Sequence, residues 1–257
     1  MSLPALALSE DFSYAPDLLT ITKEAFATAK RAVSHAIDGL VNGSAPAFHA
    51  VKACEEQLDN FDRELDQRLA PAITQANATQ ARELLACMKL MIDLERTGDL
   101  VAAFAERTSI VRNRIEMQDV EYLTRMACLL ENMLIQARQA FCGRDVDEAL
   151  KVLRADAEMD RFRNLILVRH TDGPDGLPGR ESLHVLLMAT ALERAGDHAK
   201  NMAEEVCHLV TGETIRHLLH CKDKPVEQLY LDWLAKHRTQ PQTTADKSAQ
   251  GDNGAQI

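Results

Sequence analysis

Aromatic side chains are scarce, at 4% of the 257 residues with a single Trp, and the chain has only 11 Gly and 8 Pro. Sandwiches and barrels draw on more aromatic and β-branched residues and more turns, so the scarcity argues against an all-β fold. None of the six cysteines (Cys54, Cys87, Cys128, Cys142, Cys207 and Cys221) forms a C-x-x-C pair. A chain this long builds a core without disulfides, so buried, reduced thiols are expected. No run of about 18–20 apolar residues offers a membrane span. The opening "MSLPALALSEDF" has no basic stretch and too short an apolar run for a secretory signal, so a cytoplasmic location is expected. Positive charge is also short: 29 Lys and Arg against 39 Asp and Glu leave a net charge of −10. That balance disfavours nucleic acid and anionic membrane as partners and suits cation binding. There is no P-loop, no dinucleotide fingerprint, no Gly-x-Ser-x-Gly, and no evident nucleophile–base pair, so the chain is not expected to be an enzyme.

What the chain does have is helix-forming. It is 46% hydrophobic and 26% charged, rich in Ala, Leu, Glu and Arg, with apolar residues at helical spacing. The pattern predicts helices from about Pro16 to Val41, from an N-cap at Ser44 to Leu69, and from Ala78 to Arg114. It then restarts, from Gln118 to Cys142 with Gly143 as a stop, from an N-cap at Asp145 to His170, and from Arg180 to Val210. "APAITQANATQ" and "TDGPDGLPG" read as connections. A short last helix is expected after Pro225, followed by a polar, disordered tail.

The restart is a duplication. Ser44 and Asp145 stand 101 residues apart, as do Phe61 and Phe162; Glu95 and Glu193 stand 98 apart, as do Asp99 and Asp197. A three-residue difference in the loop before the third helix reconciles the offsets. The expected fold is all-α: two tandem three-helix bundles related by internal duplication, over residues 15–114 and 115–212, with 213–257 as a C-terminal extension.

Carboxylates repeat with the helices. Glu95 and Asp99 share a helix face at i, i+4, inside "LERTGDL", and Glu193 and Asp197 repeat the spacing inside "LERAGDH". One helix earlier come partner pairs, Glu55 and Asp59, then Asp156 and Asp160. Glu95 and Glu193 fall on or beside the apolar stripe, with Glu106 and Glu204 further along the same side. Acidic groups brought together repel, and partial burial raises their pKa values. A cation removes both costs, and all-oxygen ligation suits Mg²⁺, Mn²⁺ or Fe³⁺, with Zn²⁺ also open. The bland reading is a solvated face in which Arg96 pairs with Asp99 for a few tenths of a kcal/mol. The doubling, with a partner pair one helix earlier in each half, favours metal. Gly98 and Gly196 each follow the motif glutamate by three residues and so lie near the carboxylate face, where a side chain would crowd the ions or the neighbouring helix. On this reading Gly98→Leu and Gly196→Leu lose metal before they lose helix.

Other features are weaker. Glu181-x-x-His184 and Glu205-x-x-His208 have di-iron spacing but share one helix, about 36 Å apart. His217, His220 and Cys221 lack a further ligand group. His198, beside Asp197, reads as a surface histidine, with a hydrogen-bond donor behind the ligands as the alternative, and Arg154, Arg161, Arg163 and Arg169 read as a solvated basic face.

"LERTGD" and "LERAGDHAKNMAE" resemble the signature of the PhoU family of phosphate-uptake regulators, an E-R-x-G-D core followed by N-x-A-E, once per repeat. The resemblance runs from about Leu18 to Thr211. The first copy departs from it, with Ala103 where the second has Asn201. The resemblance implies two three-helix bundles side by side and multinuclear metal clusters on their surfaces. It assigns Glu55, Asp59, Glu95 and Asp99 to one cluster and Asp156, Asp160, Glu193 and Asp197 to the other. Arg96, Glu106, Arg194, Asn201 and Glu204 are candidates to support these ligands from behind. The metal is a divalent or trivalent ion: Fe, Mn, Mg or Zn. The resemblance further implies a cytoplasmic regulator, often dimeric, that contacts the phosphate ABC transporter and a phosphate-sensing histidine kinase and represses starvation signalling. The alternatives are a metal-dependent phosphohydrolase and a helical scaffold without metal.

Overall fold

Capping chemistry sets the helix ends. In the computed structural model, which describes residues 14–171 and 180–211, α1 spans Tyr14–Asn42, α2 Ala45–Gln75 and α3 Ala78–Val111. After a 3₁₀ turn at Arg112–Arg114 come α4 Met117–Gly143, α5 Val146–Thr171 and α6 Arg180–Thr211. Gly43, at φ 67°, takes the left-handed position that ends α1, and Arg112 donates to the last-turn carbonyls of Leu40 (3.1 Å) and Val41 (2.6 Å). Ser44 then accepts from the Ala47 amide at 3.3 Å to start α2, and Asp145 accepts from Asp147 and Glu148 to start α5. Residues 172–179 and 212–257 lie outside the described residues, and with them the expected loop, the last helix and tail, and His217, His220 and Cys221.

Two boundaries differ from expectation. α2 runs six residues past Leu69 with Pro71 inside it. Proline costs a helix its i→i−4 bond, but Pro71 is exposed in the last turn, and the buried Leu69 and Ala72 hold that turn on the core. The connection shrinks to Ala76 and Asn77. Asn77 forms a full capping box, accepting from the Gln80 amide while the Gln80 side chain accepts from its own. Asn77→Ala is expected to cost about 1 kcal/mol of stability, seen as a lowered melting temperature. At the end of α4 the left-handed residue is Arg144 (φ 53°), not Gly143. Its guanidinium bonds Glu83 at 2.7 Å and stacks over Phe141, which holds the unfavourable backbone in place.

α1, α2 and α3 pack against one another, and so do α4, α5 and α6, giving one three-helix bundle per repeat. The short connections between α1, α2 and α3 make sequential neighbours antiparallel. The bundles do not keep separate cores: α1 packs on α4, α3 packs on α6 more extensively than any other pair meets, and the buried residues form one continuous cluster. At the α1–α4 seam Phe26 packs against Phe141 at 6.1 Å between ring centres, and Lys30 pairs with Glu131 at 2.9 Å.

The α3–α6 seam carries polar stitches. Lys89 pairs with Glu205 at 2.9 Å, Arg114 with Glu181 at 3.2 Å, and Asp93 accepts from His198 at 2.8 Å. His198 is therefore a tie between repeats rather than a surface histidine, and both E-x-x-H glutamates are engaged in ion pairs. The basic strip on α5 is likewise not simply solvated. Arg169 binds Asp119 at 3.0 Å and Arg163 reaches Glu193 at 3.6 Å, although Arg161 and Arg154 do stay exposed. Asp119 is 1% exposed and also accepts from His170, clipping the start of α4 to the end of α5. Among the described cysteines all are free thiols; Cys54, Cys87 and Cys207 are buried, but Cys128 and Cys142 are exposed. At those two helix positions the thiol falls outside the buried stripe, which thiol chemistry alone does not reveal.

Candidate metal centre

The approach of α2 to α3 is set by Gly98. A Cβ built there would lie 2.5 Å from Leu58 Cδ1, and Leu58 is fully buried. The glycine thus lets the α3 backbone sit against α2 directly beneath the acidic face. It does not face the carboxylates, so the crowding it relieves is of helix on helix and not of ions. Gly196 is looser: a Cβ would meet Met159 Cγ at 3.3 Å, a tight contact that needs Met159 to yield by a few tenths of an ångström.

Above Gly98, Glu55 and Asp59 from α2 meet Asp99 from α3. One oxygen from each lies within 4.8 Å of the others, and all three residues are half-buried. Oxygens around a Ca²⁺ or Mg²⁺ ion, bonded at about 2.0–2.6 Å, are separated by distances of this order. Glu95 stands beside the group with its carboxylate 3.4 Å from Arg96, which also reaches Asp99 at 3.5 Å. The surface ion pair expected of a solvated face is present, but its arginine is 59% exposed and well screened. Partial burial, then the charges of Asp59 and Asp99, push the Glu55 carboxyl above the usual range. Burial and then Asp99 do the same to Glu95.

Asp62, three residues after Asp59 on the same face, lies outside the i, i+4 carboxylate pairs and so escapes a reading by spacing. Burial, then Asp66 and Asp59, raise its carboxyl too. A cleft of about 560 Å³ opens beside the group, walled by Phe48, Val51, Ala102 and Ala105 and rimmed by Lys52, Glu55, Asp99 and Glu106. The first repeat thus offers half-buried, mutually repelling carboxylates with an open approach, a donor set that fits a hard cation.

The second repeat is built differently. Asp156 is hydrogen-bonded to Lys200, and the side chains are 13% and 18% exposed. Glu193 lies 3.6 Å from Arg163. Burial, then Asp197, raises the Glu193 carboxyl, with Arg163 opposing and Asp160 adding. Burial opposes charge on Lys200, yet its bond to Asp156 and the nearby Asp197 and Glu204 prevail and hold its pKa above the usual value. Among the described residues, Asp156, Asp160, Glu193 and Asp197 form no group like that of Glu55, Asp59 and Asp99. Asn201 turns towards Asp93, 3.5 Å away in the α3–α6 seam, Glu204 is buried, and Arg194 is exposed.

The duplicated helices and the doubled motif match known proteins. The PhoU domain matches the chain twice, over residues 22–108 and 123–206. A phosphate-specific transport system accessory protein PhoU homolog from Zymomonas mobilis is 31% identical over 192 residues, 68% of this chain and 79% of its own length. The homolog from Caulobacter vibrioides is 29% identical over 212 residues, 79% and 92% of the two chains. The crystal structure of PhoU from Pseudomonas aeruginosa superposes with a TM-score of 0.71 at 24% identity, covering 78% of this chain and 99% of that one. The phosphate transport system regulatory protein PhoU from Streptococcus pneumoniae gives 0.71 at 19% identity, covering 78% and 96%. At those identities the structural likeness is one of fold. With both repeats matched, in the register that the duplicated carboxylates mark, the chain belongs to the PhoU family.

Proposed function

We propose that this chain is a metal-binding regulator of phosphate uptake and phosphate-starvation signalling, not an enzyme. It works in the cytoplasm as a homodimer, by protein contact with a phosphate ABC transporter and its sensor histidine kinase. The family match over both repeats carries this reading, supported by relatives named as accessory proteins of phosphate-specific transport. Among the described residues no helix is long and apolar enough to cross a membrane, so contact with a membrane transporter would be peripheral.

In the first repeat Glu55, Asp59 and Asp99 would hold the metal, with Glu95 and Asp62 adjoining. A bound cation would supply positive charge between α2 and α3 and remove the repulsion that raises Glu55 and Glu95. The protein's own part is to hold those carboxylates half-buried on a rigid helix pair. The cleft at Ala102 leaves the approach open.

The test is genetic and physical. Cells lacking the chain should take up phosphate and express starvation genes even when phosphate is plentiful, and the tagged chain should retain transporter or kinase subunits in a pull-down. Unchanged uptake and expression, with no such subunit retained, would count against regulation. The hydrolase alternative predicts turnover of a generic phosphomonoester by metal-loaded protein; no turnover above the metal-only rate is expected.

A further inference from the structure

We infer that the acidic constellation of the second repeat is a closed, metal-independent copy of the first, in which the side chains of Lys200 and Arg163 serve as its cations. This deepens the reading of the first repeat as a metal site. The two repeats differ at equivalent helical positions. Lys200 follows the motif residue Asp197 by three, the place that Ala102 holds after Asp99; Arg163 follows Asp160 by three, the place that Asp62 holds after Asp59. One repeat therefore has a small side chain and a further carboxylate where the other has two cations. In the first, Ala102 walls an open cleft reaching Glu55 and Asp99. In the second, Lys200 extends from the same helical position to Asp156, the counterpart of Glu55.

Burial decides whether such cations can be displaced. The first repeat has cations too, but Arg63 and Arg96 are 66% and 59% exposed and Lys52 is also exposed. They can swing into solvent when a metal ion enters. Lys200 is 18% exposed against an Asp156 that is 13% exposed, with buried Glu204 nearby. A metal ion taking Asp156 would strip a half-buried ammonium of its hydrogen-bond partner and set it beside a second positive charge, which a poorly solvated site resists. Arg163, at 34% exposure against Glu193, is a weaker block acting in the same sense.

The experiment uses the full chain, stripped of metal and dialysed against Mn²⁺, with bound Mn²⁺ read by elemental analysis and melting followed in parallel. Glu55→Gln/Asp59→Asn/Asp99→Asn should abolish bound Mn²⁺, because the second repeat offers no alternative site. Adding Lys200→Ala/Arg163→Asp to that blocked chain installs the first repeat's residues at the equivalent positions. It should restore about one Mn²⁺ per chain and a Mn²⁺-dependent rise in melting temperature. If the opened chain is too unstable, Lys200→Met keeps the volume and removes the charge, and should likewise gain Mn²⁺. The inference is overturned if the blocked chain still binds Mn²⁺ and loses it on Glu193→Gln/Asp197→Asn, or if a folded, opened chain gains none. A wild-type chain that binds no Mn²⁺ would remove the metal reading of the first repeat, while the opened chain would still decide the second.

Discussion

Replacing Glu55, Asp59 and Asp99 together by their amides is expected to change stability in opposite directions with and without metal. In metal-free protein the replacement should stabilise, since it removes like charges held together at partial burial. In protein saturated with Mn²⁺ it should destabilise. A ligand at 100 times its dissociation constant adds about 2.7 kcal/mol to the folded state, roughly 5–10 °C of melting temperature for a protein of this size. The triple variant should lose that increment entirely. Thermal melts of the two proteins, each with and without Mn²⁺, make the comparison, and curves shifted alike in both conditions would show that the carboxylates hold no ion.

The same cluster predicts a pH dependence. Glu55, Glu95 and Asp62 have raised carboxyls, through burial first and neighbouring charges second. A folded-state pKa above the unfolded value means the folded state holds the proton more tightly. The resulting stabilisation is fully present below the unfolded value, about 4.3 for Glu, and is lost as pH rises through the folded value. Metal-free protein should therefore lose this contribution on going from mildly acidic to neutral pH. Mn²⁺ should offset the loss by competing with protons for the same oxygens. The amide triple variant, which keeps Glu95 and Asp62 but not Glu55 among this cluster's raised groups, should show a shallower slope.

Gly98→Leu is expected to cost about 3 kcal/mol or more, the upper end of what overpacking a core does. Even the first carbon of a side chain would stand 2.5 Å from Leu58 Cδ1, and Leu58 is fully buried, so its side chain would have to shift within the core. Gly98→Ala should cost less, because the roughly 1 kcal/mol gained in helix propensity offsets part of the strain. Gly196→Ala should be near neutral or stabilising, since Met159 can yield by a few tenths of an ångström. A double-mutant cycle isolates the contact. Leu58→Ala alone should cost about 2–5 kcal/mol, and combined with Gly98→Ala it should cost less than the sum of the two. Additive costs would mean that the helices part to admit the methyl. Metal is then lost together with packing in Gly98→Leu, because the Leu58–Gly98 contact places Asp59 and Asp99 side by side.

Much of this protein is written in local sequence. Six helices, their caps at Ser44 and Asp145, and the offsets of 101 and 98 follow from periodicity and side-chain chemistry acting within a few residues. So does the presence of paired carboxylates on the second and third helices of each repeat. Tertiary structure decided what those residues meet. Pro71 stayed in α2 because Leu69 and Ala72 are buried on either side of it. Gly98 was placed under Leu58 and not under the ions. Identical i, i+4 spacings became an open acidic face in one repeat and a lysine-sealed one in the other. The physical reason is that a helix face fixes only the direction of a side chain. Whether a charge there sees water, a like charge or a half-buried ammonium depends on the neighbouring helix, and the difference between Ala102 and Lys200 gains meaning only when α2 and α5 are packed against them.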